Sequence, residues 1–287
     1  MTRPDPARIS VTARLAAYYR AFSDVPFAVD VARLVGASET FDALVRDHGI
    51  SASGLNEYAP MFEARYKSIA ALLSKLRATQ VLELASGFSL RGLAMTRDRD
   101  MRYVDSDLDS VNEEKRKLLT SLSVATQGTH SVVTANALVH AELRAAVASF
   151  DRRCELFVVC EGLLMYLSVD ERETVAKNIR ALVSEFSAGT WITPDFSLRA
   201  DAASVSEERK RMIAAVAGVT HRELNEAAFE SQSEMDAFFL RHRWHADKHD
   251  QMALAGDLVS VGRMSLSPQI AERLRGRLGV WVMRAIE

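Results

Sequence analysis

Polar residues stand at the ends of short apolar runs, and their types are those that hold a polar ligand. The run "QVLELA" carries Glu83 inside it and delivers Ala85-Ser86-Gly87 at its end. "MRYVDSD" ends in Asp105 and Asp107, and "SVVTAN" ends in Asn136, with Ala137 next. "ELFVVCEG" ends in Glu161-Gly162, and "GTWITPDF" ends near Asp195. A turn of small residues lets a ligand approach the backbone closely. An acid closing the second run is placed to accept hydrogen bonds from ribose hydroxyls. Together these point to an adenosine-type ligand. A dinucleotide needs three glycines to seat its pyrophosphate on a helix N-terminus. The corresponding positions hold Ala85, Gly87 and Leu90, which disfavours a dinucleotide and favours a ligand without phosphate.

These residues share a site only if the runs are neighbouring strands with their carboxyl ends on one rim. The chain is written that way from position 80 on, where apolar runs alternate with helical segments such as "SVNEEKRKLLTSL", "HAELRAAVAS" and "SVDERETVAKNIRALVSEF". In the last of these, Ser168 and Glu171 form a capping box. Nearly continuous apolar strands alternating with helices predict an α/β fold, a mostly parallel sheet with helices on both faces. In "MFEARYKSIAALLSKLRA", Ile69, Leu72, Leu73 and Leu76 make one apolar helical stripe. Residues 1–78 read as an N-terminal helical cover. Residues 79–287 read as the core, with a helical insertion at about 197–240, in one structural domain overall. "WHADKH" and "GVWVMRAI" read as the closing strands, and "EEKRK" as a solvated helix face.

The 287 residues suffice for one large core. A net charge of −2 argues against a nucleic-acid or membrane-surface protein, because phosphate binding needs a clustered basic excess. No apolar run approaches the roughly 20 residues needed to span a bilayer. Cys154 and Cys160 read as buried strand residues in a reducing compartment, and no His/Cys cluster has metal-ligand spacing. The expectation is a cytoplasmic protein without metal, acting on a small molecule. Composition leaves the oligomeric state open.

"VLELASGFSLRG", "YVDSDLDSVNEEK" and "VVCEGLLMYLS" resemble the core motifs of the leucine carboxyl methyltransferase-like family, which includes bacterial polyketide O-methyltransferases. "RISVTARLAAYYRA" and "EARYKSI" resemble its N-terminal segments. The resemblance implies a Rossmann-like class I methyltransferase fold, a seven-stranded sheet whose last strand is antiparallel. It implies S-adenosylmethionine as cofactor, S-adenosylhomocysteine as product and an oxygen as acceptor. By motif position, Gly87 would back the donor, Asp107 would hold its ribose and Glu161 would sit beside it. Arg65 matches an arginine that pairs with the donor's carboxylate, and Arg14 loosely matches an N-terminal basic residue near the same group. Asn136-Ala137 falls near the adenine. Ala85 stands where relatives commonly have Gly, and Ser89 where they have Asp.

Each residue also has a plainer reading. Arg65 could snorkel at its helix end, Asp107 could end a strand, and Tyr166 and Asp195 could be core or acceptor-facing. Glu83 must find a partner, because an unpaired buried carboxylate is expensive; the partner could be loop amides or the donor's amino group. Met212, Phe229, Met235, Phe238 and Phe239 could line an acceptor lid or pack the insertion's own core. The strand ends carry no His poised as a base, which favours a carboxylate acceptor, ionised at neutral pH, over a phenol. A nucleotide-dependent oxidoreductase and a non-catalytic binding module of the same fold are the alternatives.

Overall fold

The computed structural model describes residues 6–200 and 205–286, with side chains from residue 11 onward. Residues 1–5 of the expected cover, 201–204 of the expected insertion and Glu287 lie outside the described residues. The apolar runs form seven strands: β1 (Gln80–Leu84), β2 (Arg102–Asp107), β3 (Thr129–Thr134), β4 (Leu156–Cys160), β5 (Gly189–Thr193), β6 (Trp244–Asp250) and β7 (Gly279–Ala285). They make one sheet in the order β3-β2-β1-β4-β5-β7-β6. β1 to β5 are parallel, and β7 runs antiparallel to both β5 and β6. The chain builds outward from β1 to β3, then crosses back to lay β4 on the other side of β1. Strand order therefore reverses between β1 and β4, and ligands bind at such a point in open α/β sheets.

β1, β4 and β5 are buried along their whole length, which explains their largely apolar sequences, with Gln80, Glu83, Thr190 and Thr193 as the polar exceptions. One sheet face is covered by α4 (Tyr58–Lys75) and α5 (Arg91–Arg97). There Ile69, Leu72 and Leu73 pack with Val81, Val159, Ile192 and Val282. The other face carries α7 (His140–Ala146) and α8 (Val169–Val183), whose Leu143, Val175, Ile179 and Leu182 share a core with Leu82, Val158, Trp191 and Met283. The capping box opens α8: Ser168 Oγ accepts from Glu171 N, and Glu171 Oε2 accepts from Ser168 N.

The remaining helices complete the fold. α1 (Pro6–Arg20), α2 (Ala28–Leu34) and α3 (Ala37–Asp47) precede α4, and α6 (Asp109–Leu122) follows β2. α9 (Glu207–Thr220) and α10 (Gln232–Arg241) lie between β5 and β6. Three short helices, α11 (Gln251–Ala255), α12 (Val259–Arg263) and α13 (Gln269–Leu274), intervene between the last two strands, where sequence periodicity marks nothing. They are anchored on α4, where buried Glu63 accepts from Val259 N at 3.0 Å and Ser260 N at 2.8 Å. Two local expectations are corrected. Cys154 is exposed, because the chain turns at Asp151–Cys154 before β4 begins. Lys115, within "EEKRK", is fully buried because α6 turns it inward onto Asp105. Among the described residues no helix is long and apolar enough to cross a membrane.

Candidate active site

The loops after β1, β2, β3 and β4 border one cavity of about 200 Å³, roofed by α1, α4 and the end of α9. Of the residues singled out from sequence, Arg65, Ala85, Gly87, Asp107, Asn136, Ala137, Glu161 and Tyr166 line it. The turn after β1 is held in an uncommon shape. Ala85 has φ +48° and Gly87 has φ +50°, the left-handed region that costs an L-residue about 1–2 kcal/mol. Ala85 bears that strain where a glycine would not. A Cβ on Gly87 would also meet the Ala13 Cβ of α1 at 3.3 Å. Gly87→Ala should therefore lower stability by about 1–2 kcal/mol, read as a fall in Tm; an unchanged Tm would contradict this backbone geometry.

Polar contacts from the neighbouring strand hold this turn. Asp107 Oδ2 accepts from Gly87 N at 2.8 Å, and Oδ1 accepts from Leu108 N at 2.7 Å. Burial raises the Asp107 pKa, although these N–H bonds oppose the rise. Beneath the turn, Lys115 Nζ donates to Ser86 Oγ at 2.9 Å and lies 2.7 Å from Asp105 Oδ2. His130 Nε2 is 2.8 Å from the same oxygen. Burial would raise the Asp105 pKa, but Lys115 and His130 overcome it and hold the carboxyl down at about 2.

A chain of buried charges runs from the core to the cavity. The pairing of Leu84 with Cys160 sets Glu83 and Glu161 on the same face of adjacent strands. Arg91, the first residue of α5, lies between them. Its Nη1 donates to Glu83 Oε1 at 2.5 Å and its Nη2 donates to Glu161 Oε2. Tyr103 Oη donates to the other Glu83 oxygen at 2.5 Å. At the cavity end, Arg20 Nη2 donates to Glu161 Oε1 at 2.5 Å. Burial pushes the Glu161 pKa up, but Arg20, Arg91 and Arg65 outweigh it and bring it to about 2. The Arg65 guanidinium has no hydrogen bond to the described residues and sits 5.5 Å from the centre of the Phe62 ring. This end of the cavity thus presents one fixed carboxylate beside a guanidinium with all its donors available.

Three expected site residues do other work. Glu83 is spent on Arg91 and Tyr103 and does not reach the cavity wall. Arg14 points from α1 towards α6, donating to Val35 O at 2.8 Å and Glu114 Oε2 at 2.5 Å. Asp195 braces the turn after β4, accepting from Gly162 N and Leu163 N at 2.8 Å and Leu164 N at 3.0 Å. Of the insertion's large apolar residues, Phe229, Met235, Phe238 and Phe239 join the main core and Met212 packs against α1 and α3. Thr220 and Arg222 are the described residues that the segment contributes to the cavity.

Sequence reasoning missed Arg20, Arg91 and Lys115. A signal existed for Arg91. A carboxylate inside β1 demands a cation, and Arg91 is the first one to follow it in sequence. Nothing local distinguished Arg20, whose partner lies just past β4, 141 residues on. Apart from Arg222, which pairs with Glu171, the cavity's other described walls are mostly apolar or hydroxylic, among them Phe62, Met165, Tyr166 and Thr220. Burial pushes the Tyr166 hydroxyl up to about 12.

The family model for leucine carboxyl methyltransferase matches residues 29–180, more than half of the chain. That span holds Arg65, Gly87, Asp107 and Glu161 but stops short of Arg20 and Asp195 at either end. None of the curated proteins compared matches the sequence. The fold is shared with a DUF574 family protein from Streptomyces avermitilis, at a TM-score of 0.59 and 13% identity over 96% of this chain and 97% of that one. It is also shared with a protein from Nostoc punctiforme described as an O-methyltransferase, at a TM-score of 0.51 and 14% identity over 96% of this chain and 72% of that one.

Proposed function

The chain belongs to the leucine carboxyl methyltransferase family and is an S-adenosylmethionine-dependent methyltransferase, and from that premise we propose that it methylates a carboxylate oxygen of a small metabolite. The residues at the cavity fit the donor. Its amino-acid end is a zwitterion, and the cavity offers a fixed anion, Glu161, beside Arg65 and Arg20. A carboxylate has about four acceptor sites, so Glu161 retains capacity for an ammonium group while holding Arg20 and Arg91. Arg65, with Arg20 beside it, takes the carboxylate. Asp107 accepts from the ribose hydroxyls on the lone pairs that Gly87 and Leu108 leave free. Asn136 and Ala137 flank the adenine.

When bound, S-adenosylmethionine supplies a methyl group already activated by its sulfonium. What the chain's own residues add is alignment of an acceptor oxygen and exclusion of water by the roof of α1, α4 and α9. The acceptor is read from the cavity's titratable groups, and this observation carries the proposal. Glu161 is hydrogen-bonded by Arg20 and Arg91, and these with the nearby Arg65 hold its carboxyl low. Asp107 is committed to two backbone N–H groups, and the Tyr166 hydroxyl releases its proton only near 12. No histidine is among the described lining residues. An acceptor that must lose a proton, such as a phenol of pKa about 10, would find no base here. A carboxylate needs none.

Calorimetry tests the donor half. S-Adenosylmethionine should bind the purified protein, and Arg65→Ala should weaken it by roughly tenfold, the loss of one charge-assisted pair. Wild-type affinity in that variant would reject the assignment of Arg65. Turnover tests the acceptor half, with paired aromatic acids and phenols of one skeleton. Methyl esters should form, and preferential formation of methyl ethers would sink the carboxylate reading.

A further inference from the structure

Arg91 is fully buried and does not border the cavity, yet it touches a residue that does. We infer that Arg91 is a positioning residue for the donor site, bridging Glu83 and Glu161 across adjacent strands and fixing the Glu161 carboxylate where the donor's ammonium docks. The inference rests on the donor site proposed above.

The strand register forces the need for it. Glu83 and Glu161 project from one sheet face, two register positions apart, and two buried carboxylates so placed repel unless a cation lies between them. A guanidinium fork can donate to both at once, whereas an ammonium group offers a single point. The centre of the Tyr66 ring lies 4.5 Å from the Arg91 guanidinium carbon. The bridge's far end is fixed by Tyr103 on β2, which holds the second Glu83 oxygen. Glu161 is thereby tied to β1 and β2 through Arg91, and its remaining oxygen faces Arg20. The charged and titratable groups around Glu161 are Arg20 from α1, Arg65 and Tyr66 from α4, Arg91 from α5 and, through Arg91, Glu83 from β1. Without Arg91, burial acts on Glu161 with less opposition, and its carboxylate takes up a proton at higher pH.

The test compares wild type, Arg91→Lys and Arg91→Met by calorimetric binding of S-adenosylmethionine and S-adenosylhomocysteine between about pH 5 and 8, the range in which a raised carboxyl titrates. Arg91→Lys keeps the charge and loses the bridge, so it should bind roughly tenfold more weakly, the low end of what the loss of an outer partner costs a metal ligand. Its pH profile should keep the wild-type shape. Arg91→Met should lose affinity more steeply than wild type as pH falls, and adding Glu161→Gln should remove that extra slope. A purely structural arginine would lower Tm while leaving the folded protein's affinity and pH profile unchanged, and that result would overturn the inference. Should Arg91→Met not fold, Arg91→Lys decides alone: wild-type affinity refutes positioning. Absence of binding by the wild type is a different outcome, and it refutes the donor-site reading itself.

Discussion

Asp107→Ala should weaken S-adenosylmethionine binding by at least a hundredfold, about 3 kcal/mol, measured calorimetrically. The figure follows from two charge-assisted hydrogen bonds to a ribose diol, each contributing roughly 1.5–3 kcal/mol. A second loss adds to it. Asp107 holds Gly87 N and Leu108 N, so its removal also frees the turn that forms the cavity's floor. Affinity within threefold of wild type would mean that the donor does not lie across the end of β2. The same residue sets a pH dependence. Burial raises its pKa, so its carboxylate is protonated as pH falls, and at a higher pH than an exposed aspartate would be. Donor affinity should therefore decline on acidification, and Asp107→Asn should flatten that decline.

Glu83→Ala should act on stability before it acts on binding. It leaves Arg91 with one carboxylate partner instead of two and strips Tyr103 of its acceptor, both inside the core. Removing one partner of a buried ion pair costs about 3–5 kcal/mol, a large share of a typical 5–15 kcal/mol. Urea unfolding should show a lower midpoint with an unchanged slope. An unchanged midpoint accompanied by lost donor binding would instead place Glu83 against the ligand.

The strands were legible because a strand buried on both faces is largely apolar, as β4 is throughout and β1 and β5 are apart from Gln80, Glu83, Thr190 and Thr193. The long helices were legible from period and caps, α8 above all. α11 to α13 were not, since helices of five or six residues hardly complete one amphipathic repeat. Within the site, residues at strand ends were readable because topology alone delivers them to the rim. Asp195 shows the limit of that logic: it reaches the rim and is then consumed by three backbone N–H groups. Arg14 and Arg20 show another limit. Six positions apart on α1, they point to different neighbours, one to α6 and one to the end of β4. Which of them serves the cavity depends on how α1 docks, and the helix's own sequence does not encode that.

The contact between Arg20 and Glu161 joins positions 141 residues apart. On a ribosome adding about 5–20 residues per second, roughly 7–30 s pass between making the two ends of that contact. α1 is not idle meanwhile. Its Leu15 and Tyr19 pack with Phe41 and Leu44 of α3 and Ala59 of α4, all synthesised soon after it. The nascent chain can thus assemble its N-terminal helices early, while the guanidinium of Arg20 waits for a strand not yet translated. Donor-binding competence should then arrive abruptly during synthesis, once β4 has left the exit tunnel and seated beside β1.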